Sequence, residues 1–90
     1  MKDLFNLKGK VAVVTGASSG LGKSAALMYA DYGADVALLG IDIDKLSLVK
    51  EEIEEKGKKV LAIKCDVTNE TEVKNAVKII LKEFSHIDIL

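Results

Sequence analysis

Three glycines, Gly16, Gly20 and Gly22, follow the apolar run Val11-Ala-Val-Val14, with Lys23 and Ser24 directly behind them. Glycine at these spacings leaves no Cβ to hold a ligand off the backbone. A helix opening at the turn would aim unpaired N–H groups and a partial positive charge at an anion. The chemistry is phosphate binding, and two arrangements compete for it. Read as Ala17-Ser-Ser-Gly-Leu-Gly22-Lys23-Ser24, the segment lies one residue from the P-loop pattern. Lys23 would then reach phosphates, Ser24 would meet magnesium and Asp66 would supply a second magnesium contact. Read as Thr15-Gly16 followed by Gly20 and Gly22, it is a variant dinucleotide turn. One glycine then makes the bend, one admits a pyrophosphate and one lets helix pack on strand. The spacing is not G-x-G-x-x-G, so the motif by itself does not choose, and a glycine turn with no ligand is the third reading.

Few other residues carry chemistry. Cys65 is the single cysteine, which excludes an internal disulfide or a cysteine metal cluster; it reads as a small buried hydrophobe in a reducing, cytoplasmic setting. The lone His86 precedes a short apolar run and reads as a surface turn residue rather than a base. A formal net charge of −1 gives no electrostatic case for nucleic acid or an anionic membrane. Hydrophobic residues at 49% and charged ones at 30% make a globular composition, and 90 residues make at most one small domain. Lys2, Asp3, Lys8 and Lys10 break up the apolar residues at the start, so no signal peptide is expected, and no apolar run reaches the ~18 residues of a membrane span.

The elements that must position these residues alternate regularly. Val11–Val14, Val36–Leu39 and Val60–Ile63 are continuous apolar runs of strand length, the signature of a parallel sheet covered on both faces. Ile87-Asp-Ile-Leu90 begins a fourth. Between them, Leu21 to Tyr32 reads as a helix ended by Gly33, and Asp44 to Lys56 as one ended by Gly57. A third carries Val73, Ala76, Val77, Ile80, Leu81 and Phe84 as one apolar stripe behind a Thr68 or Asn69 cap, a core-packing face. The lysine and glutamate run from Lys50 to Lys59 is the solvated side of the second helix. Right-handed crossovers then give an α/β fold: half of a Rossmann-like open parallel sheet, strand order 3-2-1-4, with flanking helices.

With this setting, Thr15-Gly-Ala-Ser-Ser-Gly-Leu-Gly22 after Lys10-Val-Ala-Val-Val closely resembles the opening fingerprint of the short-chain dehydrogenase/reductase family. Cys65-Asp66-Val67-Thr68 resembles that family's adenine-contacting segment, and the likeness spans the whole chain. Leu4-Phe-Asn-Leu-Lys-Gly-Lys-Val11 and His86-Ile-Asp-Ile-Leu90 look most like its sugar-acid dehydrogenases, such as gluconate 5-dehydrogenase. The resemblance implies an NAD(P)-dependent oxidoreductase. Gly16, Gly20 and Gly22 would contact or admit the pyrophosphate, Ser18, Ser19 and Leu21 would complete the turn, and Asp66 and Val67 would hold the adenine. A duller role for Asp66 is to close a strand end and start the next turn.

NAD-preferring members place an acid at the end of the second strand, on the ribose 2′-hydroxyl. Here that place is Gly40. Asp42 lies two residues on and serves either as that acid or as a helix cap, while the base of NADP-preferring members would fall on Ile41. NAD is therefore expected over NADP, without excluding the latter. The family's catalytic serine and Tyr-x-x-x-Lys are absent: Tyr29 is followed four residues on by Gly33, and Tyr32 by Val36. No catalytic residue and no metal ligand is expected in these residues. The reading is an incomplete NAD(P)-binding domain over 1–90, ending within the fourth strand and inactive alone. The full-length protein would be a homo-oligomer acting on a small alcohol or ketone. The rival classes are a P-loop ATP-binding phosphotransferase and a free-standing nucleotide-binding module.

Overall fold

The structure, a computed structural model, describes residues 6–18 and 20–90. The elements run β1 (Val11–Thr15), α1 (Gly20–Asp31), β2 (Asp35–Gly40), α2 (Ile43–Glu55), β3 (Val60–Lys64) and α3 (Glu70–Phe84). All three strands are parallel, with β2 in the middle. Val11 lies beside Asp35 and Val36 beside Val60, the same sequence offset in both ladders. Strand starts are aligned by Asp35, whose N–H donates to the Lys10 carbonyl at 3.0 Å while its carboxylate accepts the Lys59 N–H at 3.0 Å.

Alternating side chains send two cores to opposite faces of the sheet. Val14, Val36, Leu38 and Val60 pack against Ala26 and Ala30 of α1 and Leu46, Val49 and Ile53 of α2. Val11, Val13, Ala37 and Leu39 pack with Cys65 against Ala76, Ile80 and Phe84 of α3. Burying each of the larger side chains stabilises the fold by about 1.5–3 kcal/mol. The continuous apolar strand runs thus reflect a sheet covered on both faces. Leu81, placed in the α3 stripe by its spacing, is instead 43% exposed, because the face meeting the sheet is only as wide as Ala76, Ile80 and Phe84.

Helix ends follow local chemistry. Asp42 and Asn69 are the N-caps of α2 and α3, accepting from the N–H groups of Lys45 and Glu72 at 3.2 and 3.1 Å. Of the two cap candidates for α3, Asn69 is the one used.

The expected fourth strand is reduced to one parallel bridge, Ile89 beside Ala12. Val13 N–H donates to the Ile89 carbonyl at 2.8 Å and Ile89 N–H to the Val11 carbonyl at 3.1 Å. The Lys10 carbonyl accepts from β2, so the Val11 carbonyl points to the other edge, and Ile89 occupies the fourth position of the order 3-2-1-4. The ladder goes no further back because the Asp88 carboxylate takes the Val11 N–H at 2.9 Å.

Candidate functional site

Parallel strands put the loops after β1, β2 and β3 on one edge, where open α/β sheets receive ligands. These loops enclose a hollow of about 330 Å³. Gly16 and Ser18 line it from β1, Gly40, Ile41 and Asp42 from β2, and Cys65 through Thr68 from β3. Of the nine residues expected to bind, Gly16, Ser18, Asp42, Asp66 and Val67 line this hollow, and Gly20 and Gly22 lie in the first turn of α1. Ser19 lies outside the described residues.

The glycine turn is built as a cradle. Gly16 and Gly20 both take φ +61°, and nothing lies within 4 Å of where a Cβ would stand on either, so the space in front of the backbone is open. Gly22 has the opposite reason to be glycine. A Cβ there would lie 2.6 Å from the Gly16 carbonyl carbon, closer still to its oxygen, and 3.0 Å from the Thr15 oxygen. Helix α1 therefore starts hard against the end of β1, and its first turn carries no acid, whereas α2 has Asp44 and α3 has Glu70 and Glu72 there. No carboxylate in that turn competes with an anion for the N–H groups.

Leu21 and Gly22 border a second hollow. Leu21 is 90% exposed, and this hollow, of about 270 Å³, is also lined by Val13, Val14, Ala25, Tyr29 and Leu90, on the open side of β1.

At the end of β2, Gly40 is buried and a Cβ there would stand 3.3 Å from Leu46 Cδ2, with Leu46 itself fully buried. The position is filled from below by α2. Asp42 is the cap of α2 through one carboxylate oxygen, and the residue lines the hollow. Ile41, at 68% exposure, forms the outer wall and brings no positive charge.

The third loop is held by a closed set of hydrogen bonds. Asp66 Oδ1 accepts from the Thr68 N–H at 2.9 Å and from the Thr68 hydroxyl at 2.6 Å. The Thr68 hydroxyl, then its N–H, hold the Asp66 carboxyl below the usual carboxylate range. The turn-starting role weighed for Asp66 is thus present, and Oδ2 remains available. Val67 is 52% exposed and, among the described residues, nothing accepts from its N–H. Asp66 and Val67 both line the same hollow. Sequence reasoning missed Glu72, whose Oε1 accepts the Asp66 N–H at 3.1 Å. The signal was the Asn69-x-x-Glu72 spacing of a capping box, although Glu72 reaches past the cap to Asp66.

Cys65 lies at 1% exposure on the floor. Burial pushes its thiol above the ordinary value, and the charges of Glu72 and Asp66 push the same way. Lys23 Nζ turns to Glu52 Oε1 on α2 at 3.5 Å. His86 is exposed, with Nε2 3.0 Å from the Gly9 carbonyl and 3.0 Å from Asp88 Oδ2.

Residues 10–90 match the family model described as short chain dehydrogenase. The chain belongs to the short chain dehydrogenase family. Within the family, it is 46% identical over 84 residues to glycine betaine reductase of Emericella nidulans, covering 93% of this chain and 7% of that protein. It is 35% identical over 88 residues to 7alpha-hydroxysteroid dehydrogenase of Escherichia coli K12, covering 98% of this chain and 34% of that protein. Among solved structures, a short-chain type dehydrogenase/reductase from Mycobacterium marinum superposes with a TM-score of 0.91 at 45% identity, over 96% of this chain and 34% of that one. A metagenomic short-chain oxidoreductase in complex with NADP gives 0.89 at 34% identity, over 94% and 38%. A short chain dehydrogenase/reductase from Burkholderia phymatum in complex with NAD gives 0.87 at 31%, over 92% and 30%. The chain thus spans about a third of the length of these structures and of the Escherichia coli relative. This family membership decides between the two phosphate turns in favour of the dinucleotide one. Among the described residues, no helix is long and apolar enough to cross a membrane.

Proposed function

We propose that residues 1–90 form the dinucleotide-binding part of an NAD(P)-dependent oxidoreductase that moves hydride between nicotinamide and a carbinol or carbonyl carbon. The observation that carries this reading is the convergence, on one sheet edge, of an open glycine cradle and an acceptor–donor pair suited to adenine. Gly16, Gly20 and Gly22, with Ser18, Ser19 and the backbone of Leu21, take the pyrophosphate at the start of α1. Asp66 Oδ2 accepts from the exocyclic amine of adenine, and the Val67 N–H donates to the neighbouring ring nitrogen. Asp42 faces the adenosine ribose. Its negative charge, with no base at Ile41, favours NAD over NADP.

When bound, the dinucleotide supplies the hydride acceptor or donor; these 90 residues bind and orient it. The serine and Tyr-x-x-x-Lys of the family belong to the remaining two thirds of a protein of the relatives' length. A sugar acid is the substrate class favoured by the resemblance of residues 4–11 and 86–90, within small alcohols and ketones generally. The full-length protein is proposed to be a cytoplasmic homo-oligomer.

Calorimetric titration of the chain tests the cofactor reading. NAD should bind without any magnesium requirement and more tightly than NADP, and MgATP should bind no better than the ADP portion of NAD. Magnesium-dependent ATP binding stronger than NAD binding would restore the phosphotransferase reading.

A further inference from the structure

Glu72 sits on the first turn of α3, outside the lining of the hollow, yet it is tied to the residue proposed to read the base. Its Oε1 accepts the Asp66 N–H at 3.1 Å, the Asp66 carbonyl accepts the Asn69 N–H at 2.9 Å, and Asn69 Oδ1 accepts the Glu72 N–H at 3.1 Å. With the two bonds from Thr68 to Asp66 Oδ1, these close a ring through Asp66, Thr68, Asn69 and Glu72. The backbone of Asp66 and one carboxylate oxygen are fully engaged by it. What the ring leaves over is Asp66 Oδ2 and the Val67 N–H. Without Glu72, the Asp66 amide would lose its only protein acceptor among the described residues, and the peptide plane before Asp66 would lose its anchor while the plane after it stays tied through the Asn69 N–H.

We propose that Glu72 is a positioning residue for base selectivity: by holding the Asp66 amide it sets Asp66 Oδ2 and the Val67 N–H side by side, an acceptor next to a donor. That pair matches the edge of a 6-aminopurine, which offers an amine hydrogen beside an unprotonated ring nitrogen. A 6-oxopurine offers a carbonyl beside a ring N–H and meets both groups with the wrong partner. Such reversed polar edges discriminate strongly because buried or crowded polar groups are left unpaired. Glu72 itself has no path to the base; its effect passes through Asp66. The inference rests on the dinucleotide reading above.

The test compares the affinity of the chain for NAD and for its hypoxanthine analogue, in the unsubstituted protein and in Glu72→Ala, Glu72→Asp and Glu72→Gln. The unsubstituted chain should prefer NAD by about tenfold or more. Glu72→Ala should lower NAD affinity about tenfold and leave the analogue nearly unchanged, collapsing the ratio. Glu72→Asp, one methylene short of the Asp66 amide, should move the ratio the same way if the alanine variant proves too unstable to titrate. Glu72→Gln, whose side-chain carbonyl still accepts, should retain the preference. Equal loss for both ligands would mean a merely structural role for Glu72 and would overturn the inference, as would no change for either. An unsubstituted chain that binds both ligands equally would instead overturn the adenine reading itself.

Discussion

Gly22 is pressed against Gly16: the first turn of α1 meets the last peptide of β1 with no room for a single added carbon, which would stand 2.6 Å from the Gly16 carbonyl carbon. The two glycines therefore serve opposite ends, and substitution should separate them. Gly22→Ala forces helix and strand apart, at a cost of about 1–3 kcal/mol or more, and should lose stability and dinucleotide binding together. Gly16→Ala meets nothing in space and carries only the cost of its positive φ, about 1–2 kcal/mol. Its methyl group occupies the cradle, so binding should fall much further than stability. Urea unfolding alongside calorimetric titration measures both; parallel losses in the two variants would contradict this division.

Asp42 holds a helix cap and faces the hollow, and only the second role depends on charge. Asparagine caps as well as aspartate. Asp42→Asn should therefore leave unfolding unchanged within about 0.5 kcal/mol while raising NADP affinity about tenfold relative to NAD, the loss of a repulsion worth about 1.4 kcal/mol. Asp42→Ala should shift the same ratio but cost about 1 kcal/mol of stability. An unchanged ratio in both variants would reduce Asp42 to a cap. Restoring the family's ordinary acid at position 40 has a different obstacle: Leu46 Cδ2 lies 3.3 Å from the required Cβ, so Gly40→Asp should be less stable than the parent by denaturant midpoint.

The bonds from Thr68 lower the pKa of Asp66, and the sign of the consequence follows. A carboxyl whose folded value lies below its unfolded one contributes stability that is fully present above the unfolded value, near the ordinary 3.8, and fades as pH falls through the folded value. Thr68→Val removes the hydroxyl bond, which is the larger cause, and should raise the titration midpoint of Asp66 by carboxyl-carbon NMR. The acid limb of NAD binding should move up in pH with it, while affinity near neutrality stays within a few-fold. A midpoint that does not move would mean that the hydroxyl does not stabilise the charge.

Cys65 gives an independent measure of the same loop. Its thiol is buried and its pKa lies above the ordinary value, so at pH 7 to 8 almost none is thiolate. Alkylation by iodoacetamide should be far slower than in the denaturant-unfolded chain, and slower again with NAD present. A rate equal to that of the unfolded chain would contradict the burial; a rate indifferent to NAD would contradict binding in this hollow.

Much of this molecule is legible from residue types alone, for a physical reason. In a sheet covered on both faces each strand must be apolar throughout, so Val11–Val14, Val36–Leu39 and Val60–Ile63 announce themselves and the glycines and caps between them follow. The candidate positions Gly16, Asp42, Asp66 and Val67 are legible because each closely follows the end of such a run. What resists is anything decided by how elements dock. Leu81 fits the helical period yet misses the sheet, and Leu21 lies in the glycine motif yet turns to the open side of β1. Gly40 looks like a missing acid until Leu46 is seen beneath it. Glu72 hides because its partner lies beyond the cap of its own helix. The fourth strand is foreseen as a position but not as a ladder, since a side-chain oxygen of Asp88 takes the bond a strand would use.

The matching offsets of the two strand ladders make the site a problem of phase. The loops after β1, β2 and β3 are held level with one another by counting: each crossover returns the chain to the same height on the sheet. If an insertion or deletion within a crossover shifted the pairing by a single residue, one loop would slide along its neighbours by about 3.3 Å and the two cores would exchange side chains. A nucleotide spanning the three loops is therefore a gauge of chain length, and its affinity is expected to tolerate many changes of residue in α1 and α2 but few changes in their number.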